Sequence, residues 1–201
     1  MELLLIRHAE PIKVENLETP ADPPLHERGE EQATRLAGWL KDEPVAIAEI
    51  WSSPMRRARQ TADFCALATG APVHIAQLLA EWDQESPSYV PVEELRAAKD
   101  ERWEALVSGE AMRAHVDPVT FRDGVVAAME EIIAANTGQR VAVVCHGGVI
   151  NMYLSAVLGL EPQHFFFPHY TGISRVAAAR SGERSVASIN ETGHLRGLPG
   201  L

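Results

Sequence analysis

The chain has 201 residues, 46% hydrophobic and 23% charged, enough to bury a core without disulfide or metal staples, and a single domain spanning 1–201 is the expected organisation. Lys and Arg number 18 against 28 Asp and Glu, a formal charge of -10, which argues against binding a polyanion such as nucleic acid over a broad surface. The start MELLLIRHAE has only about five apolar residues before Arg7, too few for a secretion signal, and nothing approaches the roughly 20 apolar residues of a membrane span, so a cytoplasmic protein with no membrane partner is expected.

The apolar run at 3–6, LLLI, ends abruptly in polar residues and predicts a buried parallel strand. Pro11, Pro20, Pro23 and Pro24 make 11–24 a loop leading into Leu25. Ala33, Leu36, Ala37 and Leu40 recur at helical spacing until Glu43-Pro44 stops the run. Residues 47–51 predict a second strand. Ser53 as cap and Pro54 in the first turn open a helix that runs to Gly70, and 73–75 predict a short third strand. The pattern weakens over about 82–117, with one charged helical stretch at 93–103, and this region is expected to be a lid or insertion. Asp117-Pro118 caps a helix whose stripe is Phe121, Val125, Met129, Ile132 and Ile133 and which ends at Asn136 and Gly138. A buried strand at 141–145, an apolar helix at 149–158, and a hairpin of 173–179 with 185–189 about Ser181-Gly182 complete the chain. Alternating strands and helices predict a three-layer α/β/α sandwich with a mostly parallel central sheet, its active site at the carboxyl ends of the strands. Counting leaves open one disulfide between Cys65 and Cys145.

Two histidines follow apolar strands directly, His8 in LLLIRHAE and His146 in VAVVCHGG. In a parallel sheet both strand ends can meet at one edge, so the imidazoles are expected to face each other with Arg7 beside them. An arginine directly after four apolar strand residues needs an anion to justify its place, and phosphate is the natural candidate. The segment 52–62, SSPMRRARQTA, brings Arg56, Arg57 and Arg59 to another strand-to-helix junction. Cations there oppose the helix dipole unless an anion is bound.

Arg7-His8-Ala9-Glu10, Leu25 with Gly29 and Gln32-Ala33, Ser53-Pro54 with Arg57-Ala58 and Gln60-Thr61-Ala62, Glu81, and His146-Gly147-Gly148 occur in an order that resembles the histidine phosphatase superfamily, the phosphoglycerate-mutase-like proteins, over nearly the whole chain. The resemblance implies a phosphoglycerate-mutase-like fold and chemistry through a phosphohistidine. It implies His8 as the nucleophile, with Arg7, Arg57 and His146 binding the phosphoryl oxygens, Gly147 adding a backbone donor, and Glu81 acting as proton donor and then base. Glu85 stands close enough in sequence to compete for that last role. No metal or cofactor is required. Two positions depart from the family pattern: Ala9 replaces the usual glycine, and Val14 replaces an Asn that contacts phosphate, with Asn16 the nearest substitute.

The expected activity is metal-independent hydrolysis of small phosphomonoesters, with a small phosphorylated metabolite as ligand and a homodimer as the one protein partner considered. The stretch between Glu81 and the 141–145 strand is short for a mutase lid, which leaves mutase chemistry as the alternative and a catalytically silent binding or regulatory protein as a third reading. A cysteine phosphatase on Cys145 would need an arginine where Asn151 stands, and an esterase would need a Gly-x-Ser-x-Gly elbow that does not occur. Trp82, Tyr89, Arg96 and Trp103 are expected to set substrate identity, and His164 and His169 to flank a pocket rim at 165–168. The other histidines, His26, His74, His115 and His194, show no metal-ligand spacing.

Overall fold

In the computed structural model, which describes residues 1–198, six strands form one sheet in the order β3-β2-β4-β1-β5-β6. The strands are β1 (Glu2–Arg7), β2 (Glu49–Ser52), β3 (Val73–Ile75), β4 (Arg140–Cys145), β5 (Ile173–Ala178) and β6 (Arg184–Glu191). β3, β2, β4 and β1 run parallel, while β5 and β6 add an antiparallel edge.

Strand alternation divides the core into two layers. Leu3 and Leu5 of β1 and Val141 and Val143 of β4 face α6 (Pro118–Ala135) and α7 (Gly147–Leu158), meeting Val125, Met129, Ile132 and Leu154. Leu4, Ile6, Ala142 and Val144 point the other way, onto α1 (Glu27–Lys41) and α2 (Arg56–Thr69), where Leu36, Leu40, Ala58 and Ala62 cover them. The unbroken apolar runs of β1 and β4 are the consequence of burial on both faces, and the expected three-layer arrangement is observed.

Three local expectations differ. Ser53 does not cap α2: Met55 precedes the first turn, and the Arg56 N–H is met from the 11–24 loop by Asp22 Oδ1 at 2.8 Å. The charged stretch after Pro91 is three short helices, α3 (Val92–Ala98), α4 (Glu101–Val107) and α5 (Glu110–Arg113), because Lys99 enters the left-handed region at φ 52° and Asp100 recaps the chain by accepting from Arg102 N. β2 begins two residues later than expected, at Glu49. Cys65 and Cys145 are buried and unpaired. No helix among the described residues is long and apolar enough to cross a membrane.

Candidate active site

Register builds the site. β1 and β4 pair in parallel with Arg7 opposite Cys145, so the residues that follow, His8 and His146, leave the sheet side by side. His8 N–H donates to the Cys145 carbonyl at 2.9 Å, and the two imidazole centroids lie 5.0 Å apart. β2 ends beside them: Ser53 N–H donates to the Val144 carbonyl, and the Ser53 hydroxyl is 2.7 Å from His146 Nε2. Ser53 Oγ also accepts the Met55 N–H, which fixes the hydroxyl against the start of α2. His146 Nδ1 is buried without a protein partner.

The His8 tautomer is set by what surrounds it. Nδ1 lies 2.7 Å from the Ala9 carbonyl, which can only accept, so Nδ1 carries the proton and Nε2 keeps its lone pair. Arg57 Nε donates to that lone pair at 3.2 Å. Burial, then the charges of Arg57 and Arg7, hold the His8 pKa well below the usual imidazole value; burial, Arg57, His8 and Arg7 do the same to His146. Both rings are therefore neutral at pH 7.

Two buried guanidiniums flank these rings. Arg57, 1% exposed, crosses the Tyr89 ring at 4.8 Å, and its Nη1 is buried without a hydrogen bond, 4.0 Å from Asp22. Arg7 lies 3.8 Å over the Tyr170 ring and donates from Nη1 to the Pro168 carbonyl at 2.7 Å and to Glu93 of α3 at 2.9 Å. The N-terminus of α7, with Gly147 lining the cleft, adds a partial positive charge. An unpartnered guanidinium nitrogen of Arg57, an unpartnered imidazole nitrogen of His146 and a helix N-terminus around the unprotonated Nε2 of His8 make a fit for a tetrahedral dianion.

Glu81 closes the opposite side. Its Oε2 accepts the Gly148 N–H at 2.8 Å and its Oε1 the Trp82 N–H at 3.1 Å. Burial, followed by the charge of Asp83, raises its pKa from 4.5 to about 7 against the pull of those two bonds and of Arg57. The approach is so close that a Cβ on Gly148 would lie 2.2 Å from Glu81 Oε1 and 2.6 Å from Trp82 Cδ1. Glu85, in contrast, is exposed and does not line the cleft.

Of the expected specificity residues, Trp82 and Tyr89 line the cleft, as do His164, Phe167 and Pro168. Trp103 backs Phe167, with ring centroids 4.8 Å apart. Arg96 and His169 are exposed and outside it. Val14 exchanges backbone hydrogen bonds with Tyr89, which is how the loop after β1 seats that ring, while Asn16 sits on the surface with its N–H on Ser88 Oγ. Burial pushes the Cys145 thiol up, so it stays protonated and is a poor nucleophile.

Sequence reasoning missed Glu93, Ser53 as a partner of His146, and Asn151. Asn151 is fully buried; its amide donates to the Gly147 and Phe166 carbonyls and its oxygen accepts from Phe165 and Phe166 N–H, tying the 165–168 wall to α7. Gln32, Gln60 and Thr61 were visible as motif residues, and their task is backbone support: they accept from the N–H groups of Glu10, Leu25 and Ala9 respectively.

A mostly parallel three-layer fold with two histidines, two arginines and a carboxyl converging at its strand ends defines a protein that handles phosphoryl groups. The family model of the histidine phosphatase superfamily (branch 1) matches residues 3–192, and the chain belongs to that superfamily. An Escherichia coli protein named probable phosphoglycerate mutase GpmB is 27% identical over 172 residues, covering 80% of this chain and 76% of its own. A phosphoserine phosphatase mutant from Entamoeba histolytica, solved in complex with phosphoserine, aligns at TM-score 0.73 and 25% identity over 96% of this chain and 98% of that one. A phosphoglycerate mutase from Bacillus anthracis shares the fold at TM-score 0.74 and 20% identity, over 97% and 95% of the two chains.

Proposed function

We propose that the protein is a metal-independent phosphatase that hydrolyses small phosphomonoesters through a phosphohistidine on His8. The observation that carries this reading is the pairing of a neutral imidazole, its Nε2 kept unprotonated by the Nδ1 contact to Ala9, with a carboxyl that is half protonated near pH 7. Nε2 attacks phosphorus while Arg7, Arg57, His146 and the Gly147 backbone neutralise the equatorial oxygens. Glu81 gives its proton to the leaving oxygen, and the alcohol departs. A water then enters, Glu81 takes its proton, and the P–N bond breaks to release inorganic phosphate and restore His8. Two guanidiniums supply the positive charge that a metal would bring.

The names of the relatives, phosphatases of small phosphorylated metabolites beside mutases, support the class of substrate. Phosphate release from an aryl phosphate at pH 6–7 is expected to exceed that of His8→Ala by several orders of magnitude; equal rates would sink the reading. Interconversion of phosphoglycerates by bisphosphoglycerate-primed protein, faster than phosphate release, would replace it with mutase chemistry.

A further inference from the structure

The chamber that holds the His8 imidazole is lined on much of its wall by apolar side chains, unlike the phosphoryl cradle. Arg7 and Arg57 are the only Lys or Arg side chains among the described residues that line the cleft, and both are engaged, Arg57 on His8 Nε2 and Arg7 on the Pro168 carbonyl and Glu93. Much of the remaining lining is apolar: Trp82, Val90, Val92, Leu106 and Phe167, with the Pro168 ring. His164 lies among these, and burial takes its pKa to about 4, so it brings no charge at neutral pH. Besides Glu81, the remaining ionisable groups are Asp83 and the Tyr89 phenol, both acids. The basic residues of the 82–117 segment lie elsewhere: Arg96, Lys99 and Arg113 are exposed, and Arg102 is paired with Asp100 and Glu15.

The chamber is also held in shape. Phe167 packs on Trp103 and stacks on His164 at an interplanar angle of 13°, and the four hydrogen bonds of Asn151 fix the backbone beneath it. A preformed apolar wall rewards apolar surface directly, because little ordering must accompany binding. A carboxylate or second phosphate entering the same space would lose water, find no cation, and face Asp83.

We infer that the site selects phosphomonoesters whose alcohol part is an uncharged alkyl or aryl group and rejects those carrying a carboxylate or a second phosphate. The inference rests on the phosphatase reading for where the phosphoryl group sits. Each added methylene should improve recognition about three- to fourfold until the chamber is filled, and a carboxylated ester should fall behind a hexyl ester by roughly a hundredfold or more in kcat/KM.

The test uses two series on the intact protein. Unbranched alkyl phosphonates from methyl to hexyl report affinity without turnover, and the matching alkyl phosphates with 3-phosphoglycerate report phosphate release. Tightening Kd along the phosphonates, together with a rising kcat/KM along the esters and poor use of 3-phosphoglycerate, is the expected result. Turnover that is flat with chain length, or that favours 3-phosphoglycerate, overturns the inference while leaving the phosphatase reading standing. Chain-length-dependent affinity with no turnover above His8→Ala supports the chamber and sinks the phosphatase reading instead. Leu106, half-buried on the short helix α4, offers a check that does not depend on core packing. Leu106→Lys should move the preference at least tenfold toward 3-phosphoglycerate, and an unchanged preference in a variant of unchanged melting temperature counts against the wall as its source.

Discussion

Replacing Gly148 by alanine puts a methyl group into the contact that holds the carboxyl of Glu81. The added carbon would lie 2.2 Å from Glu81 Oε1 and 2.6 Å from Trp82 Cδ1. Ordinary contact lies near 3.5 Å, so the carboxyl or the first turn of α7 must retreat by about 1 Å. That retreat also stretches the 2.8 Å bond from Gly148 N–H to Oε2. The loss of stability should be modest, about 1–2 kcal/mol, because overpacking costs about 1–3 kcal/mol while alanine in place of glycine within a helix returns up to about 1 kcal/mol. Catalysis should suffer far more: a misplacement of about 1 Å between acid and leaving oxygen is worth about a hundredfold in kcat. Steady-state kinetics on an aryl phosphate, with a thermal melt on the same preparation, separates the two effects. A variant that keeps kcat within threefold of the parent, with the same alkaline limb in its pH profile, would refute the assignment of Glu81 as the acid held by α7.

The pKa of Glu81, near 7, sets two further expectations. In activity, kcat/KM should fall about tenfold per pH unit above 7 as the acid is lost, and Glu81→Gln should abolish that limb along with most turnover. In stability, the folded state holds this proton more tightly than the unfolded one, so the contribution is full below about pH 4.5 and is lost as pH rises to about 7, a change of roughly 3 kcal/mol at most. Melting curves of Glu81→Gln against the parent across that window read it directly. His8 and His146 act in the opposite direction: their depressed values mean that the unfolded chain takes up protons first, and stability drains away as pH falls below 6.5. Arg57→Ala should cost at least a hundredfold in kcat and weaken inorganic phosphate binding measured by calorimetry. Asn151→Ala strands several buried backbone groups, and a loss of roughly 3 kcal/mol, a melting temperature lower by roughly 6–12 °C, is expected.

The legible part of the site was the part carried by strand ends. His8 and His146 could be placed because each follows an unbroken apolar run, and once both runs are central parallel strands, equal register leaves the two rings adjacent. Arg7 was legible for the same reason, as a charge with no solvent to explain it. Its answer was only half foreseen, since Glu93 from α3 already contacts the guanidinium. An acid on a short charged helix is indistinguishable in sequence from a solvated one. Ser53 shows the converse error: a serine before a proline reads as a local cap, whereas the hydroxyl is used across the sheet by His146 and the helix start is met by Asp22, 34 positions away.

By itself the sequence determined the layer order, the two-sided burial of β1 and β4 and the identity of the chemical groups, because hydrophobic period and residue type are local properties. It left open a pairing of two cysteines and a choice between two glutamates. In the tertiary structure Cys65 and Cys145 lie in the core layers on opposite faces of the sheet, where burial keeps both protonated, and the Gly148 N–H holds Glu81 in the cleft while Glu85 is exposed. The tertiary structure alone also fixed the electrostatics. A chain of net charge -10 has one imidazole that accepts a hydrogen bond from Arg57 and feels the charge of Arg7 as well, and the desolvation that lowers the histidines and raises the glutamate depends on what surrounds each group in space, which no spacing along the chain encodes.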